Sequence, residues 1–159
     1  MRVEARKAER EDVAVMEAMY RGLEREMAGL HAMWPIADGL EAPAARSLLA
    51  AVDDPGAVTL VGMIDEIPFG FLLARVEETL AQGGGEQVGS IRIIYVDRAA
   101  REVAVGEAMR DAAIELLRER GISKFDAHVL PGHRLAKNFY ESGGFSARSI
   151  IMFRDDERD

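Results

Sequence analysis

The 159-residue chain contains no cysteine. That excludes a disulfide scaffold, a thiolate zinc site, an iron–sulfur cluster and a cysteine nucleophile. Positive charge is in deficit: 20 Lys and Arg stand against 28 Asp and Glu, a net charge of −8. A general nucleic-acid binder needs a basic face for phosphate, so no nucleic-acid partner is expected. No apolar run approaches the length of a bilayer-spanning helix, and no membrane partner is expected. The first residues, Met1-Arg2-Val3-Glu4-Ala5-Arg6-Lys7, carry charge where a signal peptide needs an apolar stretch. Several catalytic signatures are also missing: Gly-x4-Gly-Lys-Ser/Thr, Gly-x-Ser-x-Gly and His-Glu-x-x-His. His31, His128 and His133 read as surface or strand-end residues, and no metal is expected. Gly83-Gly84-Gly85 precedes a strand instead of joining a strand to a helix, so it reads as a flexible loop and not a dinucleotide cradle.

What remains is an ordinary soluble composition, 48% hydrophobic and 30% charged. We expect a cytoplasmic protein with one domain over 1–159. Val13, Met16, Tyr20, Leu23 and Met27 recur at helical spacing, with Glu9, Glu11 and Asp12 crowding the first turn. A second helix is predicted over 43–52. Strands follow at 58–64 and 68–76, joined by a turn at Asp65-Glu66, then a strand at 88–96. A helix is predicted over 102–120, with Val105, Met109, Ala112 and Leu116 on its buried face and Gly121 as its stop. Strand 125–130, helix 133–141 and a final strand 146–154 complete the order. The alternation in the second half implies an α/β layer with at least one parallel pair.

The junction from Ile93 to Gly106 is where chemistry concentrates. An apolar strand runs through a short loop into a long helix, with small residues at Ala104 and Gly106. The free N–H donors of a helix's first turn suit an anion, and small side chains let a phosphate approach them. The same residues also allow the helix to pack tightly on the sheet. Spacing alone leaves both readings open. For Tyr140, spacing alone favours packing of its short helix onto the sheet over a chemical role.

Two motifs carry a resemblance. Arg101-Glu102-Val103-Ala104-Val105-Gly106 fits Gln/Arg-x-x-Gly/Ala-x-Gly/Ala, and Ala136-Lys137-Asn138-Phe139-Tyr140 leads into Gly143-Gly144-Phe145. Together, in this order, they resemble the GNAT superfamily of acyl-coenzyme A dependent N-acetyltransferases, over nearly the whole chain. The resemblance implies an α/β fold: a mixed, twisted sheet splayed between its fourth and fifth strands and flanked by about four helices. It implies acetyl-CoA as co-substrate in that gap. Backbone at Ile94, Tyr95 and Val96 would hold the pantetheine. Arg101, Glu102, Val103, Ala104, Val105 and Gly106 would hold the pyrophosphate, with Asn138 near the pantetheine arm. Tyr140 would be the general acid. The loop around His31, Met33, Trp34 and Pro35 falls where the family often builds its acceptor pocket. The implied acceptor is a small-molecule or peptide amine, and a homodimer is a further expectation. The rival expectation is a GNAT-fold module that binds CoA or a protein partner and catalyses little. Ala104 stands where the family usually has glycine, and Arg92 where many members place a glutamate.

Overall fold

Among the described residues, five strands form one sheet in the order β1-β2-β3-β4-β5: β1 (Val3–Lys7), β2 (Ala57–Ile64), β3 (Ile67–Glu78), β4 (Gln87–Val96) and β5 (Phe125–Ala127). The computed structural model describes residues 1–30, 39–79, 84–129 and 134–157. Neighbours are antiparallel from β1 to β4, and β4–β5 is parallel. The helices are α1 (Val13–Leu30), α2 (Ala44–Asp53), α3 (Val105–Glu119) and α4 (Arg134–Ser142), with short 3-10 turns at Arg10–Asp12 and Arg98–Ala100.

The expected β2–β3 hairpin is present. Its two-residue turn puts Asp65 and Glu66 at positive φ, 47° and 69°, as a tight hairpin connection with right-handed strand twist requires. β2 and the middle of β3 are buried on both faces, which explains why they read as continuous apolar runs. One face meets α1 and α2 through Met16, Leu23, Leu48, Val61 and Phe71. The other meets α3 through Leu60, Leu72, Ile91, Met109 and Leu117. Each such side chain contributes about 1.5–3 kcal/mol when removed from water.

Four expectations are corrected. First, the chain opens with a strand: Val3 pairs with Ile64 and Lys7 with Leu60. β1 is a sheet edge whose charged residues alternate with Val3 and Ala5, and only those two pack on the α3 side. Second, α3 begins at Val105, after a 3-10 turn and a tight loop. Its buried stripe runs through Val105, Gly106, Met109, Arg110, Ala113 and Leu117, one residue round from the predicted face. Third, β5 is only three residues long. Fourth, 146–154 is not a strand; Ile150, Ile151 and Met152 are more than three-quarters exposed. The segment reaches the open edge of β5, where Arg148 lies 3.8 Å from Asp126, but forms no ladder with it, and β propensity acts mainly through packing against neighbours.

Candidate active site

The fourth and fifth strands part company at Ile91. Their pairing covers Gly89–Phe125, Ser90–Asp126 and Ile91–Ala127, extended by one bond from the His128 N–H to the Ile91 carbonyl at 3.2 Å. Beyond that point, among the described residues, β4 continues to Val96 on β3 alone. A β-bulge accompanies the split: Ala74 faces Ile91 and Leu73 faces Ile93, which leaves Arg92 as the extra residue. The extra residue reverses the alternation of the strand. Ile91 packs on the α3 side, Ile93 and Tyr95 on the α1 side, and Ile94 and Val96 on the α3 side. Arg92 itself pairs with Glu77 at 3.0 Å. Sequence reading missed the bulge, because the inserted residue is an arginine within an otherwise regular β run.

The loop after β4 is pinned at several points. Asp97 donates its N–H to the Phe69 carbonyl at 2.7 Å and accepts from the Ala99 N–H at 2.9 Å. Arg101 donates from Nε to the Val96 carbonyl at 2.9 Å and engages both carboxylate oxygens of Glu26 at 3.1 and 2.5 Å. Its guanidinium also lies 5.8 Å from the centre of the Tyr95 ring. Gly22 makes room for that tyrosine, since a Cβ there would sit 2.8 Å from the phenol oxygen. α1, the end of β4 and the loop are thus tied together through Arg101, and its fork is turned to Glu26. Glu26 went unnoticed in the sequence because it lies 75 residues away.

Ala104 caps α3 in the left-handed region, at φ 62° and ψ 18°. This conformation explains why glycine suits the position. The first turn of α3 leaves the N–H groups of Val105, Gly106 and Glu107 without an intrahelical acceptor; the ladder starts with Ala108 donating to Ala104 at 3.0 Å. Glu102 and Ala104 are exposed, Arg101 and Val103 half-buried, and Val105 and Gly106 buried. Gly106 faces inward: a Cβ there would lie 3.2 Å from the Phe139 ring and 3.5 Å from Val96 Cγ2. β4, the loop and α4 therefore converge at this glycine.

α4 brings Phe139, Tyr140 and the exposed Asn138 to the same region. Tyr140 is 5% exposed and stacks edge-on between Phe139 and Phe145, at 5.1 and 5.3 Å between ring centres. Burial pushes its phenol well above the ordinary tyrosine range, against a smaller opposing pull from the Arg110 guanidinium. The phenol is therefore protonated at any physiological pH. Asp97 and Glu86 are engaged locally, Asp97 as a cap and Glu86 with Lys124. The expected acceptor loop at His31, Met33, Trp34 and Pro35 lies outside the described residues, as do 130–133. Among the described residues, no helix is long and apolar enough to cross a membrane. No group of three or more His, Asp or Glu among them could hold a metal ion.

The profile of the acetyltransferase (GNAT) family matches residues 14–145. The chain belongs to that family. The GNAT fold is shared across the chain's length with solved structures of low sequence identity. A transcriptional regulator from Bacillus halodurans C-125 superposes with a TM-score of 0.76 at 23% identity, covering 97% of this chain and 99% of that one. AAC(6′)-Iy, solved with the bisubstrate analog CoA-S-monomethyl-acetylneamine, gives 0.76 at 14% identity over 98% and 99%. A GCN5-related N-acetyltransferase from Ralstonia eutropha JMP134 gives 0.75 at 22% identity over 97% and 99%. The mycothiol acetyltransferase of Thermobispora bispora is 29% identical over 99 residues, 55% of this chain. Those residues span about a third of that relative's length, 34%. The expected mixed α/β sheet, open between its fourth and fifth strands and flanked, among the described residues, by four helices, is the GNAT arrangement found here.

Proposed function

We propose that this GNAT chain, as one domain over 1–159, transfers an acetyl group from acetyl-CoA to a primary amine by direct attack on the thioester. The observation that carries this reading is the parting of β4 from β5 beside the open first turn of α3. Two kinds of backbone donor then face one gap. Ile94, Tyr95 and Val96 lie past the last β5 pair, where an extended pantetheine arm can add as a strand. The N–H groups at the start of α3, with the Ala104 turn before them, suit the pyrophosphate. Small or inward-facing side chains at Ala104, Val105 and Gly106 leave that backbone accessible. Arg101 shapes the loop from behind, while Glu102 and Val103 contribute main chain. Arg98, Arg134 and Lys137 are exposed cations that offset the net charge of −8 for an anionic co-substrate. Asn138 supplies an exposed amide to the pantetheine arm.

In the chemical step, a β4 N–H between Ile94 and Val96 polarises the thioester carbonyl. The neutral amine attacks the carbonyl carbon, the C–S bond breaks as the Tyr140 hydroxyl protonates the departing sulfur, and the proton shed by the amine passes through water, which returns a proton to the Tyr140 oxygen. No covalent enzyme intermediate is required, in keeping with a chain without cysteine. The acceptor is a small-molecule or peptide amine. AAC(6′)-Iy, a structural neighbour solved with the bisubstrate analog CoA-S-monomethyl-acetylneamine, supports an acceptor that meets CoA in one site. We also propose a cytoplasmic homodimer, with the exposed side chains of Ile150, Ile151, Met152 and Phe153 as the surface that a second copy would cover.

One observation favours the second reading, a module that binds CoA but catalyses little: Tyr140 is packed between two rings and almost closed to solvent. Thiol release from acetyl-CoA against a panel of amines decides between the two. Amine-dependent release supports the transferase. CoA-dependent thermal stabilisation without turnover supports the module, since a ligand at 100 times its Kd stabilises by about 2.7 kcal/mol. Neither effect would overturn both.

A further inference from the structure

Arg110 is a charged residue in a place built for apolar ones. It lies on the buried stripe of α3 between Met109 and Ala113, and only 7% of it is exposed. A guanidinium in such a position persists only when its donors and charge are met. Here they are met mainly by α4. Nη1 donates to the Phe139 carbonyl at 3.0 Å. The guanidinium carbon lies 4.9 Å from the centre of the Phe139 ring. Nε donates to Asp111 at 2.9 Å, a carboxylate that is itself two-thirds exposed. The chain opposite is cut away to fit. A Cβ at Gly143 would stand 2.8 Å from Nε, Cζ and Nη1. One cation thus holds the last turn of α4 by the Phe139 carbonyl and ring, in the space that Gly143, just beyond the helix, leaves open.

We infer that Arg110 is a positioning residue for Tyr140: it clamps α4 onto α3 and so sets where the phenol points relative to the gap between β4 and β5. This rests on the reading of Tyr140 as the general acid. The adjacency supports it, because Phe139 carries the carbonyl and ring that Arg110 grips, and Tyr140 is the next residue. Lysine has neither the planar fork nor the stacking surface, so it does not replace this clamp.

Turnover and KM for acetyl-CoA should be measured in Arg110→Met, Arg110→Lys, Tyr140→Phe and the double variant Arg110→Met/Tyr140→Phe. Methionine fills the stem's space without burying charge. We expect Arg110→Met and Arg110→Lys each to lower kcat by about tenfold to a hundredfold, as small misplacements of catalytic groups do. KM should change less than about twofold. In the Tyr140→Phe background the Arg110→Met loss should vanish, because the group it positions is gone. Gly143→Ala provides a second route that leaves residue 110 intact. It should lower kcat in the wild-type background by displacing the guanidinium, and cost nothing once Arg110 is methionine. An Arg110→Met protein with unchanged kcat, or a loss that persists in full on top of Tyr140→Phe, overturns the inference. Unchanged turnover in Tyr140→Phe alone instead overturns the acid reading on which it rests, so the two failures are distinct.

Discussion

The Phe139 ring rests on Gly106, with 3.2 Å between its Cε2 and the place a Cβ would occupy. The small residue at Gly106 therefore serves two ends. It leaves the first-turn N–H groups of α3 uncovered, and it lets α4 approach α3. Gly106→Val should weaken CoA binding and also press on Phe139. Overpacking of this kind costs about 1–3 kcal/mol. We expect a folded protein with a lower urea midpoint and weaker CoA binding by calorimetry. Normal CoA affinity in a folded Gly106→Val protein would remove the phosphate-loop reading.

Ala104 holds a left-handed conformation at φ 62°. An L-residue with a Cβ is penalised there by about 1 kcal/mol, and glycine is not. Ala104→Gly should therefore raise stability by about that amount in urea unfolding, with CoA affinity retained or improved. Ala104→Val should lower stability, because a β-branched side chain fits the region worst. A destabilised Ala104→Gly protein would show that the loop adopts another conformation in solution.

Tyr140→Phe keeps the ring and its edge contacts with Phe139 and Phe145 but deletes the hydroxyl. Losing general-acid help typically costs about 10²–10⁴ in rate. Turnover should fall by an amount in that range while thermal stability stays close to wild type. The pH dependence has a definite sign. Burial raises the phenol's folded-state pKa above its ordinary value near ~10, so the folded state keeps the proton longer than the unfolded chain does. Tyr140 therefore introduces no alkaline limb in kcat below about pH 10. Stability should decline as pH rises above that value, and less so in Tyr140→Phe.

At the start of the fold, Arg6 grips both oxygens of Asp12 at 2.8 and 2.9 Å, and the Glu9 N–H donates to the same carboxylate at 2.7 Å. The Arg6 hydrogen bonds are the main reason this carboxyl titrates below the ordinary range; burial works against them. A carboxyl with a depressed folded pKa stabilises above the unfolded value near ~3.9, and that contribution is lost as pH falls through the folded pKa. Asp12→Asn should cost about 1–3 kcal/mol at neutral pH, as charged hydrogen bonds do. It should also flatten the acid end of the stability profile. Equal acid sensitivity in wild type and variant would assign that limb to other groups.

Much of the site region was legible because its signals are local. The helical spacing from Val13 to Met27, the Asp65-Glu66 turn, the apolar strand leading into the 101–106 loop and the Tyr140 segment each depend on residues close in sequence. β1 was less legible, because Val3 and Ala5 are the only apolar members of an edge strand whose other residues are charged. The 146–154 run read as a strand from its composition, but a strand exists only where a neighbour completes its ladder. The stripe of α3 was misread by one residue because Gly106 and Arg110 lie on it, and neither counts as apolar in a periodicity argument.

The order of elements from α1 to α4, the absence of thiol chemistry and the two motifs followed from the sequence by itself, since they depend on residue type and short spacing. Tertiary structure decided the rest. It turned Arg101 toward Glu26, 75 residues away, and reversed β4's facing by one extra residue at Arg92. It also sank the Arg110 cation beneath α4 and closed Phe139 and Phe145 around Tyr140. Each of these depends on long-range packing. A side chain's direction and partners are set by what the rest of the chain brings beside it, and residue spacing along the chain carries no record of that.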